Sequence, residues 1–254
     1  MEQKIGHSTI TVEETASTNR YVSDLLTSGA TMEHGAVVRA ITQTAGKGLQ
    51  QNRWESAPAQ NLTFSVFLKP DSLPANRQFL LSQAVSTGIR TFLSDCLTPA
   101  ENCSIKIKWP NDIFVNNRKI CGILIENTIL GSAVIDSIVG IGLNVNQIQF
   151  SADIPNPTSL RMITGQQYAL PELFNALLYS IDKYCNMLAN GEWDELNSEY
   201  LMHLYKLQEE NTFVDCQHEY TGKIVNITEN GQLAVLDIQN NRQYRYNFKE
   251  VSYH

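Results

Sequence analysis

The stretch IKIKWPNDIFVNNRKICGILIE, residues 105–126, decides the fold of this chain. Its first four residues alternate between apolar and charged side chains. The alternation predicts a strand with Ile105 and Ile107 on a buried face and two lysines on the other. Pro110 lacks a backbone N–H and cannot continue a hydrogen-bonded ladder, so the strand is expected to end before it. The stretch therefore begins as a half-buried strand that runs into a polar loop.

A cation stands at the end of that predicted strand. Lys108 is its last residue, and Asn111 and Asp112 lie just beyond it. The Asn-Asn pair at 116–117 predicts a hairpin turn, and the largely apolar residues 119–127 predict a second strand. A fixed cation and two short polar groups at a strand end suit an anionic ligand. A solvated lysine beside a plain turn is the structural alternative.

Composition limits the class of protein. The 254 residues suffice for one large and one small domain, and 43% hydrophobic with 18% charged residues is typical of globular proteins. The net charge of −7 argues against a chain that mainly binds nucleic-acid backbone. No apolar run is long enough to span a bilayer, and the N-terminal residues show no signal-peptide pattern. The five cysteines lack CxxC or zinc spacing, so we expect reduced thiols in a cytoplasmic protein.

Upstream of the central stretch, the sequence predicts a strand at 10–12, a helix that ends near Gly29, and a strand at 35–41. The helix begins at Ser17-Thr18-Asn19. The hydroxyls of this triplet suit helix capping, but a helix N-terminus also offers polar groups to a ligand. Both roles stay open at this point.

A polar loop, QTAGKGLQQNRW, occupies residues 43–54 and holds the cations Lys47 and Arg53. It is not a Walker A loop, because Ile41 stands where that motif needs glycine and Gly48 stands where it needs Ser or Thr. We interpret it as a flexible loop that can fold over phosphates.

The rest of the chain alternates between strand and helix patterns. Strands are predicted at 61–69 and 133–145, and helices at 75–96, 171–188 and 192–207. The segment GIGLNVN, 140–146, is not a dinucleotide fingerprint, because Val145 stands where a glycine is required. After residue 212 the pattern becomes strand-like, which predicts a small barrel. Its four predicted strands are 213–220, 223–228, 232–238 and 243–248.

Four motifs, in this order, resemble those of the biotin–protein ligases, enzymes that attach biotin to carboxylases. Ser17-Thr18-Asn19 resembles the family's contact with the biotin ureido group, and 43–54 resembles its adenylate loop. KWPND…GILIE, within 108–126, is the most specific motif, and 140–146 resembles a segment that lines the nucleotide site. Thr158-Ser159-Leu160 also matches.

The resemblance covers residues from about 13 to 254 and implies an α+β fold. Residues 1–208 would form a class II synthetase-like catalytic domain with a mixed sheet, which binds biotin and ATP. Residues 209–254 would form a C-terminal SH3-like β-barrel.

The adenylate loop departs from the family pattern. Lys47 and Leu49 replace two arginines, and Gln51 replaces a glycine, whereas Gly46, Gly48 and Trp54 fit. Lys47 still supplies a point charge, but it lacks the bidentate fork of an arginine.

The function that the resemblance implies is ATP-dependent ligation of biotin to a lysine of a biotin carboxyl carrier protein, through biotinyl-5'-AMP. Biotin, ATP and Mg²⁺ would take part, with no metal ligands assigned to the protein. The implied catalytic residues are Lys108, Lys47 and Asp112. The implied biotin-binding residues are Ser17, Thr18, Asn19, Gln43, Lys47, Gly48, Leu49, Lys108 and Gly122. The implied nucleotide-binding residues are Arg53, Trp54, Asn111, Lys119, Asn144 and Asn146.

Two alternatives remain from the sequence. A lipoate or octanoate ligase or transferase shares the fold but is expected to offer a longer apolar tunnel. A non-catalytic biotin-sensing regulator would need a DNA-binding module, for which the residues before Ser17 leave no room. We therefore expect neither DNA nor a membrane as a partner, and we leave a homodimer open.

Overall fold

A mixed sheet forms the frame of the protein. The computed structural model describes residues 4–49, 52–70, 73–97 and 103–253. The first strands along the chain are β1 (Thr9–Thr15), β2 (Val37–Gln43), β3 (Gly46–Lys47), β4 (Arg53–Trp54), β5 (Leu62–Leu68), β6 (Ile105–Lys108), β7 (Asp112–Val115), β8 (Arg118–Leu130) and β9 (Ala133–Leu143). Seven of them pair in the order β1-β2-β5-β9-β8-β7-β6, while β3 and β4 form a separate hairpin. The β1–β2 pair is parallel and the β8–β9 pair is antiparallel, so the predicted mixed sheet is confirmed.

Helices lie on both faces of this sheet. They are α1 (Thr18–Thr27), α2 (Phe79–Cys96), α3 (Leu160–Thr164), α4 (Leu170–Ala189) and α5 (Trp193–Met202). Phe174 of α4 meets Phe64 of β5 edge to face, with the ring centres 5.1 Å apart. On the opposite face, Val22 of α1 packs with Val38 and Phe67. None of the helices in the described residues is long and apolar enough to cross a membrane.

The two faces of the sheet differ because the side chains of β5 alternate. Phe64 and Val66 join the larger hydrophobic core under α2 and α4. Ser65 points to the other face, where it lies 2.7 Å from the Thr18 hydroxyl at the start of α1. Full burial of a side chain such as Phe64 contributes about 1.5–3 kcal/mol. The first face thus carries the larger core, while the second combines a smaller apolar cluster under α1 with polar side chains.

The central stretch forms three strands, one more than the sequence predicts. Asp112 opens β7 instead of lying in a loop beyond Lys108, and the two residues pair across a tight turn. The turn contains a cis peptide bond between Trp109 and Pro110. Four residues are too few to show a period, and β7 is held by its neighbours β6 and β8 on both sides.

The hairpin turn predicted at 116–117 is confirmed. Asn116 and Asn117 both adopt positive φ angles, 50° and 62°. A two-residue hairpin turn with this twist requires positive φ at both positions, and asparagine tolerates that region better than most residues. The turn joins β7 to β8, which extends the sheet toward its centre.

The predicted helix over 192–207 ends earlier, at Met202. Beyond it the chain runs along the edge strand β6: Ile107 N–H donates to His203 O at 2.9 Å, and Tyr205 N–H donates to Ile107 O at 2.8 Å. These bonds satisfy backbone groups that an edge strand would otherwise expose. Pairing with β6 is therefore favoured over further helix, and it brings Tyr205 next to Lys108.

The C-terminal residues form a five-stranded antiparallel sheet. Its strands are β10 (Glu210–Asp215), β11 (Glu219–Ile227), β12 (Leu233–Asp237), β13 (Arg242–Tyr246) and β14 (Val251–Tyr253), in the order β13-β12-β11-β10-β14. The predicted strand 213–220 is interrupted, because Asp215 Oδ1 accepts the N–H groups of Gln217 and His218 and so forms a turn. Closure into an SH3-like barrel stays a prediction, as does the domain boundary after residue 208.

This C-terminal sheet docks directly on the central stretch. Trp109 Nε1 donates to Gly231 O at 2.8 Å, and the Trp109 ring lies against Phe248, with the centres 6.2 Å apart. Gly231 has a φ of 85°, and a Cβ there would lie 2.6 Å from the Phe79 ring. The hairpin turn at Gly231 therefore needs glycine for its conformation and for its close approach to α2.

The contact between α2 and α4 gives a stability prediction. A Cβ at Gly88 would lie 2.8 Å from Ile181 Cα, on backbone that cannot swing away. Gly88→Ala gains about 1 kcal/mol of helix propensity. Overpacking typically costs about 1–3 kcal/mol, and we expect this loss to dominate against a rigid backbone. Urea unfolding should show lower stability for Gly88→Ala and no loss for Ser94→Ala, an exposed control on the same helix. Equal midpoints for the two variants would contradict this packing.

Candidate functional site

The candidate site lies on the polar face of the large sheet, over a floor of glycines. One register row crosses all seven strands through Val12, Ala40, Thr63, Gly142, Gly122, Asp112 and Lys108. Gly140 follows on the same face, two residues before Gly142. A Cβ at Gly142 would lie 2.2 Å from the Trp54 ring, and a Cβ at Gly140 would lie 2.4 Å from Asn19 Oδ1. The absent side chains thus make the space that these two residues use.

A cavity of about 220 Å³ opens over this floor. It brings together most of the residues that the sequence analysis assigns to a site. These are Ser17, Thr18, Asn19, Gln43, Lys47, Gly48, Leu49, Arg53, Trp54, Lys108, Asn111, Asp112, Lys119 and Gly122. The four motifs, which are far apart in sequence, therefore meet around one space.

One end of the cavity is formed by the start of α1. Gln43 Oε1 accepts the Thr18 N–H at 3.0 Å and lies 3.3 Å from the Thr18 hydroxyl, so Gln43 caps the helix. Ser17 occupies the N-cap position but makes no side-chain capping bond there. The residue is only 5% exposed. Side-chain capping by Ser17 is therefore wrong, and its assignment to a ligand stays a prediction.

A chain of hydrogen bonds fixes the floor below this end. Ser65 Oγ lies 2.6 Å from Asn19 Oδ1, while Asn19 Nδ2 donates to Glu126 Oε2 at 2.7 Å and to Leu124 O at 3.2 Å. The amide of Asn19 thus bonds to protein on both sides. Glu126, the last residue of the central stretch, holds the Asn19 amide in place. These bonds order the polar face beneath Ser17 and Thr18.

The other end of the cavity carries positive charge. Lys119 Nζ and Asp112 Oδ1 form an ion pair at 2.7 Å, and Asn111 Nδ2 donates to Ile123 O. Lys108 is half-buried, and burial lowers the pKa of its ammonium, an effect that the nearby Asp112 charge opposes. Lys108 and Lys119 thus both line the cavity, near a single carboxylate. This end suits an anion.

The glycine loop forms a hairpin over its described residues. Lys47 pairs with Arg53 across the β3–β4 hairpin, and the Gly48 N–H donates to Asn52 O at 2.7 Å. Both cations are exposed, and Leu49 is half-buried at the cavity. The sequence predicts a flexible loop, whereas these strands give it regular pairing. Gln51 lies outside the described residues.

Trp54, at the end of the hairpin, lies on the glycine floor. Gly142 and Gly122 both lie beneath its ring, and Lys119 Nζ is 5.9 Å from the ring centre. Trp54 Nε1 is buried and has no hydrogen-bond partner among the described residues. A flat ring beside a cationic end offers a stacking surface to a planar group.

Asn144 and Asn146 do not line the cavity. Asn146 exchanges two hydrogen bonds with the backbone of Tyr168, each 2.9 Å long. Asn144 Nδ2 donates to Thr158 O at 3.0 Å, but its buried Oδ1 has no partner within the described part of the chain. Asn146 therefore uses its amide for structure, whereas Asn144 keeps an acceptor. Their assignment to a nucleotide stays a prediction.

A model of the biotin/lipoate A/B protein ligase family matches residues 11–144, more than half of the chain. The chain belongs to this family. The matched region contains α1, the β3–β4 hairpin and the central stretch, which supply most of the cavity wall.

Individual members of the biotin/lipoate A/B protein ligase family align over part of their length. The bifunctional ligase/repressor BirA of Bacillus spizizenii is 30% identical over 197 residues, 74% of this chain and 57% of BirA. The biotin–[acetyl-CoA-carboxylase] ligase of Mycobacterium tuberculosis is 32% identical over 151 residues, 59% of this chain and 53% of that ligase. The chain thus spans little more than half of these relatives.

A solved structure of the family shares the whole fold. The biotin protein ligase from Aquifex aeolicus, in complex with biotin and ATP, superposes with a TM-score of 0.79. The superposition covers 98% of this chain and 99% of that one, at 24% sequence identity. The likeness shows that the family fold extends through the C-terminal sheet.

Sequence reasoning missed part of the cavity wall. Phe248, beyond β13, lines the cavity together with Trp109 and Asn52. No motif signals Phe248, because its approach depends on how the C-terminal sheet docks. The segment 140–146 stands out in the sequence, and the close contacts of Gly140 and Gly142 explain why glycine is needed there.

The position of the Trp54 ring over Gly142 gives a second prediction. Gly142→Ala places a methyl group where the indole lies, so the ring must leave the floor. We expect a red-shifted tryptophan emission and faster proteolysis of the β3–β4 hairpin. Gly140→Ala is the matched control, because its methyl group meets Asn19 and not Trp54. Parent-like emission from Gly142→Ala, or the same shift in both variants, would contradict this placement.

Proposed function

We propose that this chain is a biotin–protein ligase, which joins biotin to a lysine of a biotin carboxyl carrier protein at the expense of ATP. One observation carries the proposal: a polar end at Ser17 and a cationic end at Lys108 share one cavity over a glycine floor. Biotin has the matching polarity, with a ureido head and a carboxylate tail. The Aquifex aeolicus neighbour, solved with biotin and ATP, supports this choice.

The polar end favours biotin over lipoate. A ureido group has two N–H donors and a carbonyl acceptor, which the hydroxyls of Ser17 and Thr18 and the amide of Gln43 can match. The dithiolane ring of lipoate has no N–H or O–H group to pair with these side chains, so its binding would leave the Ser17 hydroxyl unsatisfied. Leu49 and Gly48 then cover the apolar part of biotin, and Gly122 leaves room beneath it.

The first step makes the carboxylate reactive. A carboxylate oxygen of biotin attacks the α-phosphorus of ATP, and the bond from that phosphorus to pyrophosphate breaks. The products are biotinyl-5'-AMP and pyrophosphate. Negative charge shifts onto the phosphoryl oxygens during this transfer, so fixed cations stabilise the transition state. Lys108, fixed at the end of β6, is the central cation of this step.

The remaining residues bind the nucleotide in this proposal. Lys47 and Arg53, on the hairpin, contact the phosphates, and Lys119 and Asn111 hold the cationic end. Trp54 stacks on the adenine, and Asn144 supports the nucleotide end from outside the cavity wall. Asn146 fixes the end of the segment 140–146 through its hydrogen bond to Tyr168.

Magnesium ions are expected to accompany ATP. Among the described residues, no cluster of three or more His, Cys, Asp or Glu side chains is placed to hold a metal ion. The carboxylate in the cavity wall, Asp112, already pairs with Lys119. Mg²⁺ commonly binds substrate phosphates and water with few protein ligands. We therefore assign no protein ligands and no step to the ion.

The second step transfers biotin to the carrier protein. A lysine amine of the acceptor attacks the carbonyl carbon of biotinyl-5'-AMP, an amide bond forms, and AMP leaves. The attacking amine must lose a proton, since a lysine with a reference pKa near 10.4 is charged at neutral pH. We assign proton acceptance to Asp112, which Lys119 holds in place. A cytoplasmic location and a homodimer remain predictions.

A product assay tests the function. The protein, incubated with biotin, ATP, Mg²⁺ and a carboxyl carrier domain, should increase the carrier mass by one biotin less one water. A carrier with its target lysine changed to arginine should gain nothing. Lipoate in place of biotin should give little product. An unchanged carrier mass, or preference for lipoate, would contradict the proposal.

The role of Lys108 has its own test. Lys108→Ala should slow biotin-dependent pyrophosphate release about a hundredfold or more, the usual effect of removing one transition-state donor. Lys69→Ala is a control cation remote from the cavity and should keep the parental rate. Near-parental pyrophosphate release by Lys108→Ala would exclude the role.

A further inference from the structure

Three aromatic rings surround the Lys108 ammonium. Its Nζ lies 5.0 Å from the ring centre of Phe114, 5.5 Å from that of Tyr253 and 5.9 Å from that of Tyr205. A cation attracts the negative face of an aromatic ring over such distances, and most strongly where water is excluded. We call these three side chains the aromatic cage of Lys108.

The cage holds the ammonium without neutralising it. Within the described residues, Lys108 forms no ion pair, and the nearby carboxylate of Asp112 pairs with Lys119 instead. Ring faces carry no net charge, so the full positive charge of Lys108 remains to act on an anion. Burial lowers the pKa of Lys108, and the charged groups that act on it are Asp112, Lys119 and Lys206. Of these, Asp112 favours the charged form and the two lysines disfavour it.

The walls of the cage come from three distant parts of the chain. Phe114 stands on β7, opposite Lys106 and diagonal to Lys108. Tyr205 is placed by the segment after α5 that pairs with β6. Tyr253 belongs to β14 of the C-terminal sheet and is 7% exposed. The C-terminal sheet thus reaches the side chain that acts in the first step, although Tyr253 does not line the cavity.

We propose that Tyr205 and Tyr253 are positioning residues for adenylate formation, and that the C-terminal sheet sets the place of Lys108 through the ring of Tyr253. This inference rests on the proposed function for its kinetic consequence, whereas the cage itself does not. Tyr253 contacts Lys108 through its ring alone, since its buried hydroxyl has no hydrogen-bond partner among the described residues. Tyr253→Phe therefore keeps the cage, and Tyr253→Leu opens it.

The kinetic test compares four proteins in biotin-dependent pyrophosphate release. Tyr253→Leu should lower kcat about tenfold with little change in the KM for biotin, because a shifted catalytic group costs rate more than binding. Tyr253→Phe should keep the parental kcat. Tyr244→Leu, in the same sheet but outside the cage, is the control for damage to the sheet. Parental kcat for Tyr253→Leu, or equal losses for the leucine variants at 253 and 244, would overturn the proposal.

A double-mutant cycle separates positioning from general damage. In a Lys108→Ala background there is no ammonium to place, so Tyr253→Leu should cause no further loss in the rate of single-turnover adenylation. If Tyr253→Leu lowered the rate by the same factor in both backgrounds, the ring would not act through Lys108. Should Tyr253→Leu fail to fold, Tyr205→Leu and Tyr205→Phe replace that pair in the cycle.

A titration of Lys108 tests whether the aromatic cage exists, and it needs no enzymatic activity. With lysines ¹³C-methylated and the Lys108 signal assigned by Lys108→Arg, the parent and Tyr253→Phe should titrate below ordinary lysines. Tyr253→Leu replaces a ring face that attracts the ammonium with an aliphatic side chain, so the Lys108 pKa should fall further below its ordinary value. Identical titrations in all three would overturn the cage. If the parent released no pyrophosphate, the proposed function would fail, and this titration would still decide the cage.

Discussion

The register of the strands β6 to β9 is the constraint on which the site depends. Lys108, Asp112, Gly122 and Gly142 stand in one row because each pairing places them opposite one another. Side chains alternate along a strand, so a slip of one residue at the Trp109 turn would move Lys108 to the apolar face. It would also place side chains where the glycines now leave space. The short turns of the central stretch thus decide the chemistry as well as the topology.

The two faces of the sheet divide stability from function. The face under α2 and α4 is filled by large apolar side chains such as Phe64, Phe174 and Ile181. The other face has glycines in its strands and a polar network at Asn19, features that weaken a sheet or stabilise it little. Burial on the first face offsets that cost. A fold of this kind can therefore keep an open polar cavity at the centre of its largest sheet.

Local patterns in the sequence predicted most elements, and long-range contacts explain what they missed. Alternation and helical periodicity located β5, α2 and α4, and the motifs located Ser17, Trp54 and Lys108. The Tyr205 segment looked helical, because nothing near it in sequence reveals that it pairs with β6. Gln43 caps α1 from 25 residues away, a contact that no local pattern reveals. Phe248 and Tyr253 reach the site only through the docking of a separate sheet.

The bond from Trp109 to Gly231 has a consequence for exchanging parts between relatives. It joins the turn that ends β6 to a hairpin of the C-terminal sheet, and Phe248 packs on the same indole. A chimera that received this sheet from another member of the family would have to supply a glycine at 231 and an aromatic ring at 248. The strands of the two sheets do not pair with one another, yet the sheets have to be exchanged as a matched set.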